Sequence, residues 1–464
     1  GIPVHANSEI LVDLLRNEMG FKGVAVTDWE DVIKLQKNHR VASSLKEAVK
    51  MAVDAGIDMC MVPNDYDFTK LLIELVKEGK ISEKRLDRSV RRILTVKEKL
   101  GLFENAFPPK EIPKMFASME FQQCALQTAE ESITLLKNEG GVLPLSANQN
   151  ILIVGEASQS MTLLNGAWTR TWQGVDPKWN DESKMTIAEA MQKNSSKVQY
   201  IQGATVLATT NLSEAELAAK NADVVVVCVG ENPSTEIPGN ITDMNLSLAQ
   251  KELVKAMHKT GKPVVLVMCE ARPLLISDIE NLCGAIVQSY QPGDFGGEAI
   301  ANVIFGRVNP SGKLPYTYPK YHLGTHTYDH KYTETFDINF GNNGFQPQWE
   351  FGHGLSYSKI EYSSLKCVVG ESVEVEVTLH NTSNRVAKES VLLFVTDEVA
   401  SVTPSVKKLK AFSKVELQPN EKLKVKFNLS KSDFEFIGKN AMPVFEPGYF
   451  QLHISNLTER IELK

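Results

Sequence analysis

Four stretches of the sequence are apolar at every position, and they constrain the fold more than any other feature. They lie at 151–154, 224–229, 264–268 and 285–287. A strand that is apolar on both faces must be covered on both faces, as in a parallel sheet between layers of helices. Helical patterns near 184–193, 213–220, 248–259 and 296–304 can supply those layers. The pattern therefore predicts an α/β sandwich domain over about 116–318.

The first 105 residues alternate strand and helix patterns in the same way, but with fewer strands. Short apolar strands are predicted at 23–27 and 58–62, and helices near 67–78 and 82–100. Ser44 and Glu47 form a capping-box pattern before a further helical stripe. Two strands cannot close a sheet or a barrel, so this segment is expected to be the C-terminal part of a larger α/β unit.

The period of the pattern changes to two from about residue 355. Val373, Val375, Val377 and Leu379 alternate with polar residues, and a second such run follows at 423–429. Alternation of this kind, with turn residues between the runs, predicts a small antiparallel β-sandwich over 355–464. Residues 319–354 are expected to form a loop-rich linker.

Composition excludes several classes of function. The chain of 464 residues has a formal net charge of −7, which gives no basic surface for nucleic acid. It lacks an apolar run of the roughly 18 residues that a membrane span needs. No dinucleotide fingerprint or metal-ligand spacing is present, so no cofactor and no metal are predicted.

Structural interpretations apply to the cysteines, to three of the histidines and to the Asn-X-Ser/Thr sites. The six cysteines are scattered and mostly lie in apolar runs, so we expect buried thiols and no disulfide framework. The evenly spaced His322, His326 and His330 are expected to be solvated or locally bonded. Seven Asn-X-Ser/Thr sites, including Asn381 and Asn456, would permit glycosylation in a secreted eukaryotic protein.

Acidic residues follow two of the predicted strands. Asp28 ends the strand at 23–27, and Glu231 and Glu236 lie in the loop after the strand at 224–229. Ligands of α/β sheets sit at the carboxyl ends of strands. Two carboxylates at such a place can hydrolyse an acetal, since one attacks the anomeric carbon and the other protonates the leaving oxygen. The competing interpretation is that these acids only begin turns or are solvated.

Two tryptophans lie in a polar, glycine-flanked segment, "NGAWTRTWQG". Trp168 and Trp172 do not fit an apolar helical or strand stripe. An indole ring in a polar loop can stack on the apolar face of a sugar, so the segment favours carbohydrate binding.

Motifs along nearly the whole chain resemble those of family-3 glycoside hydrolases, the β-glucosidase family. "GFKGVAVTDWEDV" resembles the nucleophile region, "AVDAGIDMCMVP" the last barrel strand and "RRILTVKEKLGLFE" the helix that closes the barrel. "ESITLLKNEGGVLPLS", "GAWTRTWQG", "GENPSTEIPGNITDMNLS", "QPGDFGGEAIANVIFGRVNPSGKLPYTYP" and "FGHGLSYSKIEYSSL" follow in the family's order. The resemblance implies the C-terminal part of a (β/α)8-type barrel at 1–105, an α/β sandwich domain and a fibronectin type III-like domain.

The resemblance also implies roles for individual residues. Asp28 matches the catalytic nucleophile, and Glu236 matches the acid/base of the branch in which the sandwich domain supplies that residue. Trp29 matches an aromatic beside the leaving-group subsite, and Trp172 the opposing wall of an aromatic clamp. Trp168 is a further substrate-binding candidate, whereas Glu231 matches a position with no assigned role. Members of the family are retaining enzymes, whose paired carboxyl groups lie about 5–5.5 Å apart.

One departure from the family pattern concerns the barrel. The strands that precede Asp28 in family members, with the groups that hold the sugar's hydroxyls, are not in this sequence, so we expect a fragment, a partial chain or a processed enzyme. An absent N-terminal barrel segment is therefore a candidate partner. The two remaining strands are expected to expose the apolar face that the other strands would cover.

The expected function is a retaining exo-acting β-glycosidase, a β-glucosidase that acts on ends of β-glucan or xyloglucan oligosaccharides. A β-xylosidase of the same family is the alternative among enzymes, and a non-catalytic carbohydrate-binding or scaffold fragment is the alternative outside them. By resemblance to the family, the protein is expected to be secreted, periplasmic or extracellular.

Overall fold

A computed structural model describes residues 1–63, 66–324, 326–334 and 344–464 of the chain. The chain forms two compact units, Gly1–Phe116 and Ala117–Lys464. No helix in the described part of the chain has both the length and the apolar character needed to cross a membrane. The predicted linker at 319–354 lies partly outside the described residues.

The first unit consists mainly of helices. A π-helix spans Glu9–Glu18, and four α-helices follow: α1 Asp31–Lys37, α2 Leu45–Ala55, α3 Asp67–Lys77 and α4 Glu83–Lys99. Helix α2 begins where the capping pattern predicts, because the Ser44 side chain accepts a hydrogen bond from the Glu47 backbone N–H. The Glu47 carboxylate, however, bonds to Ser43 and not to Ser44. Only half of the predicted capping box therefore forms.

The two strands predicted in this unit are much shorter than expected. Their pairing consists of one parallel bridge between Val26 and Met59. Both of these side chains are about half exposed, as is Met61. The prediction that these segments are buried strands is therefore wrong, whereas the expected exposure of their apolar face is confirmed. The physical reason is that no layer in the described part of this unit covers that face.

Asp58, the first residue of the short segment at 58–62, stabilises the first unit. Its fully buried carboxylate forms salt bridges with Arg16 at 2.7 Å and Arg92 at 2.8 Å. It also accepts hydrogen bonds from the Ser89 hydroxyl and the Ala25 N–H. Burial raises the pKa of this carboxyl, but the bonds from Ser89, Ala25 and Arg92 outweigh burial and the pKa is lowered overall. Asp58 thus joins the π-helix, both short segments and α4.

The second unit contains the predicted α/β domain. Its central sheet consists of β1 Thr134–Asn138, β2 Ile151–Val154, β3 Val198–Ile201, β4 Val224–Gly230, β5 Val264–Cys269 and β6 Ala285–Gln288. The six strands lie in the order β1-β6-β5-β4-β2-β3. The four continuous apolar runs are all strands, β2, β4, β5 and β6, and they are parallel as predicted. Strand β3, which the sequence did not predict, pairs parallel with β2. The sheet is nevertheless mixed, because β1 pairs antiparallel with β6 at its edge.

Helices cover both faces of this sheet, so that two separate apolar clusters form on its two sides. The helices are α5 Met119–Ser132, α6 Met161–Asn165, α7 Ile187–Asn194, α8 Leu212–Ala219, α9 Leu248–Lys259 and α10 Gly296–Ile304. Strand β4 is buried at every position. Its carboxyl end therefore gives the following loop a rigid base.

The C-terminal part is the predicted antiparallel sandwich. Its strands are β7 Ile360–Val369, β8 Val373–Asn381, β9 Ala387–Asp397, β10 Lys408–Leu417, β11 Lys422–Leu429, β12 Phe436–Ile437, β13 Pro443–Val444, β14 Gly448–Ile454 and β15 Leu457–Leu463. One sheet has the order β10-β9-β14-β15 and the other β11-β8-β7, and β12 and β13 form a short pair. Alternate side chains of β8 are buried between the sheets, as the period of two predicts.

Three interpretations of isolated residues need correction. Asn381 is fully buried and its amide donates to the backbone oxygens of Arg385, Leu417 and Gln418, so the folded chain cannot carry a glycan there. Cys124 is exposed, although Cys228, Cys269 and Cys283 are buried as expected. His330 is also buried, with its ring stacked on Phe345 at 3.7 Å between centroids.

Candidate active site

Asp28 lies at the turn between the first short segment and helix α1. The segment is held by the Thr27 N–H, which donates to the Met59 carbonyl oxygen at 3.1 Å. The Asp28 carboxylate accepts from the backbone N–H of Trp29 at 2.7 Å, and the Asp28 N–H donates to the Asp31 carboxylate at 3.2 Å. Both Asp28 and Trp29 are exposed. The turn therefore presents a carboxylate and an indole side by side to solvent.

In the second unit, the loop after β4 carries the two competing acids, and their surroundings differ. Glu231 Oε1 accepts the backbone N–H groups of Ala271 and Arg272 at 3.0 and 2.9 Å. Its Oε2 accepts the Arg272 Nε–H at 2.8 Å and an Nη2–H as well. Four donors thus occupy the carboxylate of a residue that is only 9% exposed. This residue is an anchor for the loop, with no lone pair turned to a ligand.

Glu236 has a solvent-exposed side chain on a strained backbone. Its φ is 55° and its ψ is −148°, a conformation that almost only glycine adopts. Holding a residue with a Cβ there costs on the order of 1–3 kcal/mol, so the surrounding contacts must determine it. The carboxylate Oε1 accepts the indole Nε1–H of Trp172 at 3.1 Å. The structure therefore brings two of the predicted site residues together although 64 positions separate them.

The tryptophan segment is a compact loop closed at its base by two glycines. A Cβ on Gly174 would lie 2.3 Å from the Gly166 carbonyl oxygen, so only glycine permits this approach. Trp168 has a positive φ of 61°, and its N–H bonds to the carbonyl oxygens of Thr171 and Trp172. The indoles of Trp168 and Trp172 remain 66% and 48% exposed. Both rings are thus available to a ligand on a loop with a fixed backbone.

Two glutamine side chains attach this region to its surroundings, and no sequence pattern marks either of them. Gln173 exchanges two hydrogen bonds of 3.1 Å with the backbone N–H and C=O of Thr235. Gln250 on α9 does the same with Gly230, at 2.8 and 2.9 Å. In each pair the side-chain amide forms the two backbone hydrogen bonds that a neighbouring strand would otherwise form. The loop is therefore held at its start and again next to Glu236.

No sequence pattern marks Arg272 as part of the site either. Besides its bonds to Glu231, its Nη1–H donates to the Gly239 carbonyl oxygen at 2.5 Å and an Nη2–H reaches the Ser234 hydroxyl at 3.4 Å. The partners lie 33 to 41 positions away in sequence. Only the folded sheet, in which β4 and β5 are neighbours, brings them together.

A third acid lies at the same edge of the sheet but faces the interior. Glu270 directly follows β5, is fully buried, and accepts hydrogen bonds from the Tyr318 hydroxyl at 2.9 Å and the Leu274 N–H at 3.3 Å. Burial raises the pKa of this carboxyl to about 8, and the nearby charge of Glu231 acts in the same direction. At neutral pH the folded protein therefore holds Glu270 protonated.

Comparison with known proteins identifies the family. The N-terminal domain of glycosyl hydrolase family 3 matches residues 1–96, its C-terminal domain matches 133–357, and a fibronectin type III-like domain matches 389–457. A β-xylosidase of Formosa agariphila is 32% identical over all of this chain, which covers 67% of that protein. The chain belongs to glycoside hydrolase family 3.

Other family-3 proteins extend the similarity. A lysosomal β-glucosidase of Dictyostelium discoideum is 40% identical over 98% of this chain, which spans 58% of that protein's length. A crystal structure of a mutant β-glucosidase from Listeria innocua, in complex with laminaribiose, superposes with a TM-score of 0.88 at 30% identity. It covers 99% of this chain, and this chain covers 66% of it. The predicted family and fold class are confirmed.

Proposed function

We propose that this family-3 protein is a retaining exo-acting β-glycosidase, and specifically a β-glucosidase that releases glucose from the ends of β-glucan or xyloglucan oligosaccharides. Asp28 is the nucleophile and Glu236 the general acid/base. Two similar proteins support the substrate class: both are named β-glucosidases, and one of them was crystallised with laminaribiose.

In the first step the Asp28 carboxylate attacks the anomeric carbon of the terminal sugar. The glycosidic C–O bond breaks while Glu236 transfers its proton to the leaving oxygen, which gives a covalent glycosyl ester and a free aglycone. In the second step Glu236, now a carboxylate, removes a proton from water as the water oxygen attacks the same carbon. The ester bond to Asp28 breaks, and both carboxyl groups return to their initial states.

The observation that carries the acid/base assignment is the contrast between Glu231 and Glu236. At least one of the four donors around Glu231 would have to be displaced before this carboxylate could exchange a proton with a substrate. Glu236 is exposed, and Trp172 donates a single hydrogen bond to it. A group that protonates and deprotonates in each turnover needs that accessibility.

The exposed indoles of Trp29, Trp168 and Trp172 are proposed to bind sugar faces. A tryptophan in the core of a unit would be buried, but these rings are about half exposed or more. Trp29 neighbours the proposed nucleophile, and Trp172 contacts the proposed acid. Their positions next to the two carboxylates support a role in substrate binding.

A β-xylosidase is the second candidate, because the relative from Formosa agariphila carries that name. Glucose and xylose differ by one hydroxymethyl group on the ring, so a site built for one accepts the other with reduced efficiency. The kcat/KM values of the full-length protein for p-nitrophenyl β-glucoside and β-xyloside decide between them. A higher value for the xyloside would replace the glucosidase proposal.

The catalytic proposal is tested first with Asp28→Asn in the full-length protein. This variant should fold normally and lose turnover by several orders of magnitude, because an amide does not attack the anomeric carbon. A variant that keeps more than about a tenth of the wild-type rate would exclude Asp28 as nucleophile. A wild-type protein that binds oligosaccharides without releasing any sugar would favour a carbohydrate-binding role that needs neither acid.

Glu236→Ala should cripple the hydrolysis of cellobiose but spare the glycosylation step with dinitrophenyl glucoside, whose leaving group needs no proton. Added azide should then react with the covalent sugar and give a β-glycosyl azide. If azide rescues Glu231→Ala instead, the two acids exchange roles. If it rescues neither variant, the acid/base is another residue.

We also propose that the protein works outside the cytosol, in a secreted, periplasmic or extracellular setting. The lysosomal designation of the Dictyostelium relative supports a non-cytosolic compartment. Fractionation of the native source, with activity assayed in each fraction, tests this proposal, and activity confined to the cytosol would contradict it.

A further inference from the structure

One side chain, Arg272, bonds to three points of the loop that carries Glu236. It pairs with Glu231 at the start of the loop, reaches the Ser234 hydroxyl, and donates to the Gly239 carbonyl oxygen. Ser234 and Gly239 lie on either side of Glu236. The guanidinium thus connects loop positions before and after Glu236, and its bonds go to Glu231, Ser234 and Gly239 and not to the Glu236 carboxylate.

The shape of the guanidinium makes this possible. Its five N–H donors lie in one plane, so that one edge pairs with the Glu231 carboxylate while another N–H points to the Gly239 carbonyl. A lysine ammonium is a single point of charge and cannot hold both partners in fixed directions. The backbone of Arg272 is also fixed, because its N–H donates to the Glu231 carboxylate.

A second hydrogen bond links Gly239 to Glu236. The Gly239 N–H donates to the Glu236 carbonyl oxygen at 2.9 Å, in the short turn that follows the acid. Arg272 therefore holds the residue whose N–H fixes the peptide plane of Glu236. A residue at φ 55° and ψ −148° keeps that conformation only while such contacts persist.

We propose that Arg272 is a positioning residue for Glu236: it acts through Glu231, Ser234 and Gly239 to keep the strained backbone that presents this carboxylate next to the Trp172 indole. The inference rests on the proposed role of Glu236 as the acid/base. It extends that role to a residue whose side chain bonds to Glu231, Ser234 and Gly239 and acts on Glu236 only through them.

The test compares Arg272→Lys with wild type on two substrates in the full-length protein. For cellobiose, kcat/KM should fall about 10- to 100-fold, the scale of a misplacement of about 1 Å in a catalytic group. For dinitrophenyl glucoside, which needs no proton for departure, kcat/KM should change less than about threefold. In a Glu236→Ala background, Arg272→Lys should cause no additional loss on cellobiose, because the group that it positions is gone.

Arg460→Lys is the matched control. Arg460 pairs with Glu398 in the β-sandwich through two bonds of 2.9 Å, so the same substitution weakens another two-bond arginine–glutamate pair, a more exposed one, away from this loop. It should leave both kcat/KM values unchanged. Equal losses on both substrates with Arg272→Lys would indicate only a smaller folded fraction and would overturn the positioning role.

Two further outcomes are informative. If Arg272→Lys does not fold, the double variant Glu231→Met/Arg272→Met removes both charges and leaves none unpaired. It must then show the same selective loss on cellobiose, and an equal loss or no loss overturns the inference. If Glu236→Ala shows no dependence on the leaving group, the acid/base assignment itself fails, and the inference about Arg272 fails with it.

Discussion

Substitution of the buried Glu270 by glutamine should change how the stability of the second unit depends on pH. Glutamine keeps the shape of the protonated carboxyl group but cannot ionise. Its Oε1 can still accept from the Tyr318 hydroxyl and the Leu274 N–H. In the part of the chain that the structure describes, Glu270 Oε2 and Gln288 Oε1 are both buried without a hydrogen-bond partner. Any change in hydrogen bonding that the amide brings is the same at every pH, so it does not alter the pH dependence that the substitution tests.

The magnitude follows from the two pKa values of Glu270. The value is about 8 in the folded protein and 4.5 for the unfolded chain. Since the folded value is the higher one, the contribution of this group is fully present below about pH 4.5 and is lost as the pH rises to about 8. Each pH unit in that window removes about 1.4 kcal/mol. Wild type should thus lose about 3 kcal/mol between about pH 4.5 and 7 through Glu270 alone, and Glu270→Gln should not.

Urea unfolding measured from about pH 4.5 to 8.5 tests this prediction. The difference in unfolding free energy between the variant and wild type should shift in favour of the variant by about 1.4 kcal/mol per pH unit. Other titrating groups cancel in that difference. Glu252→Gln, which removes an exposed carboxylate from α9, is the control and should give a curve parallel to wild type. Parallel curves for Glu270→Gln as well would refute the buried, protonated state of Glu270.

Two further predictions concern the first unit and the tryptophan loop. Asp58→Asn should destabilise the first unit by about 3–5 kcal/mol in urea unfolding, since it leaves the buried Arg16 guanidinium without its partner. Asp54→Asn, which breaks only an exposed pair, should cost less than about 1 kcal/mol, and a comparable loss in both variants would contradict the special role of the buried pair. Trp172→Ala should raise KM for oligosaccharides about 2- to 10-fold, with a smaller effect on aryl glucosides, because stacking is worth about 0.5–1.5 kcal/mol. Trp179→Ala, at another exposed tryptophan, should leave KM unchanged, and equal losses on both substrate types for Trp172→Ala would indicate a structural role.

The sequence predicted the parallel strands well because burial on both faces leaves a local signature. Strand β4 is apolar at each of its positions from 224 to 229, and the structure buries all of them. Strand β1, Thr134–Asn138, was missed because it is short, ends in polar residues and pairs at the sheet edge. The segments around Val26 and Met59 resemble buried strands because their composition is apolar, but composition does not reveal whether another layer covers them.

The arrangement of the candidate site depends on contacts that no local pattern encodes. The bond between Trp172 and Glu236 spans 64 positions and that between Arg272 and Glu231 spans 41. The positive φ of Glu236 is equally invisible, because glutamate is not a residue type that marks such a conformation. The motif resemblance selected Glu236 over Glu231, and the structure adds a physical reason for that choice.

The three glutamates at this edge of the sheet show how environment divides roles among identical side chains. Glu231 is surrounded by donors and serves as an ionic anchor, and Glu270 is buried and held neutral. Glu236 is the one of the three whose backbone is strained and whose carboxylate is exposed. Strain has a stability cost, and Glu231 lies where it can offset part of that cost, because it fixes the arginine that holds the loop. A loop that served only as a connector would relax with glycine at position 236, so a strained glutamate there favours a functional carboxylate over a structural one.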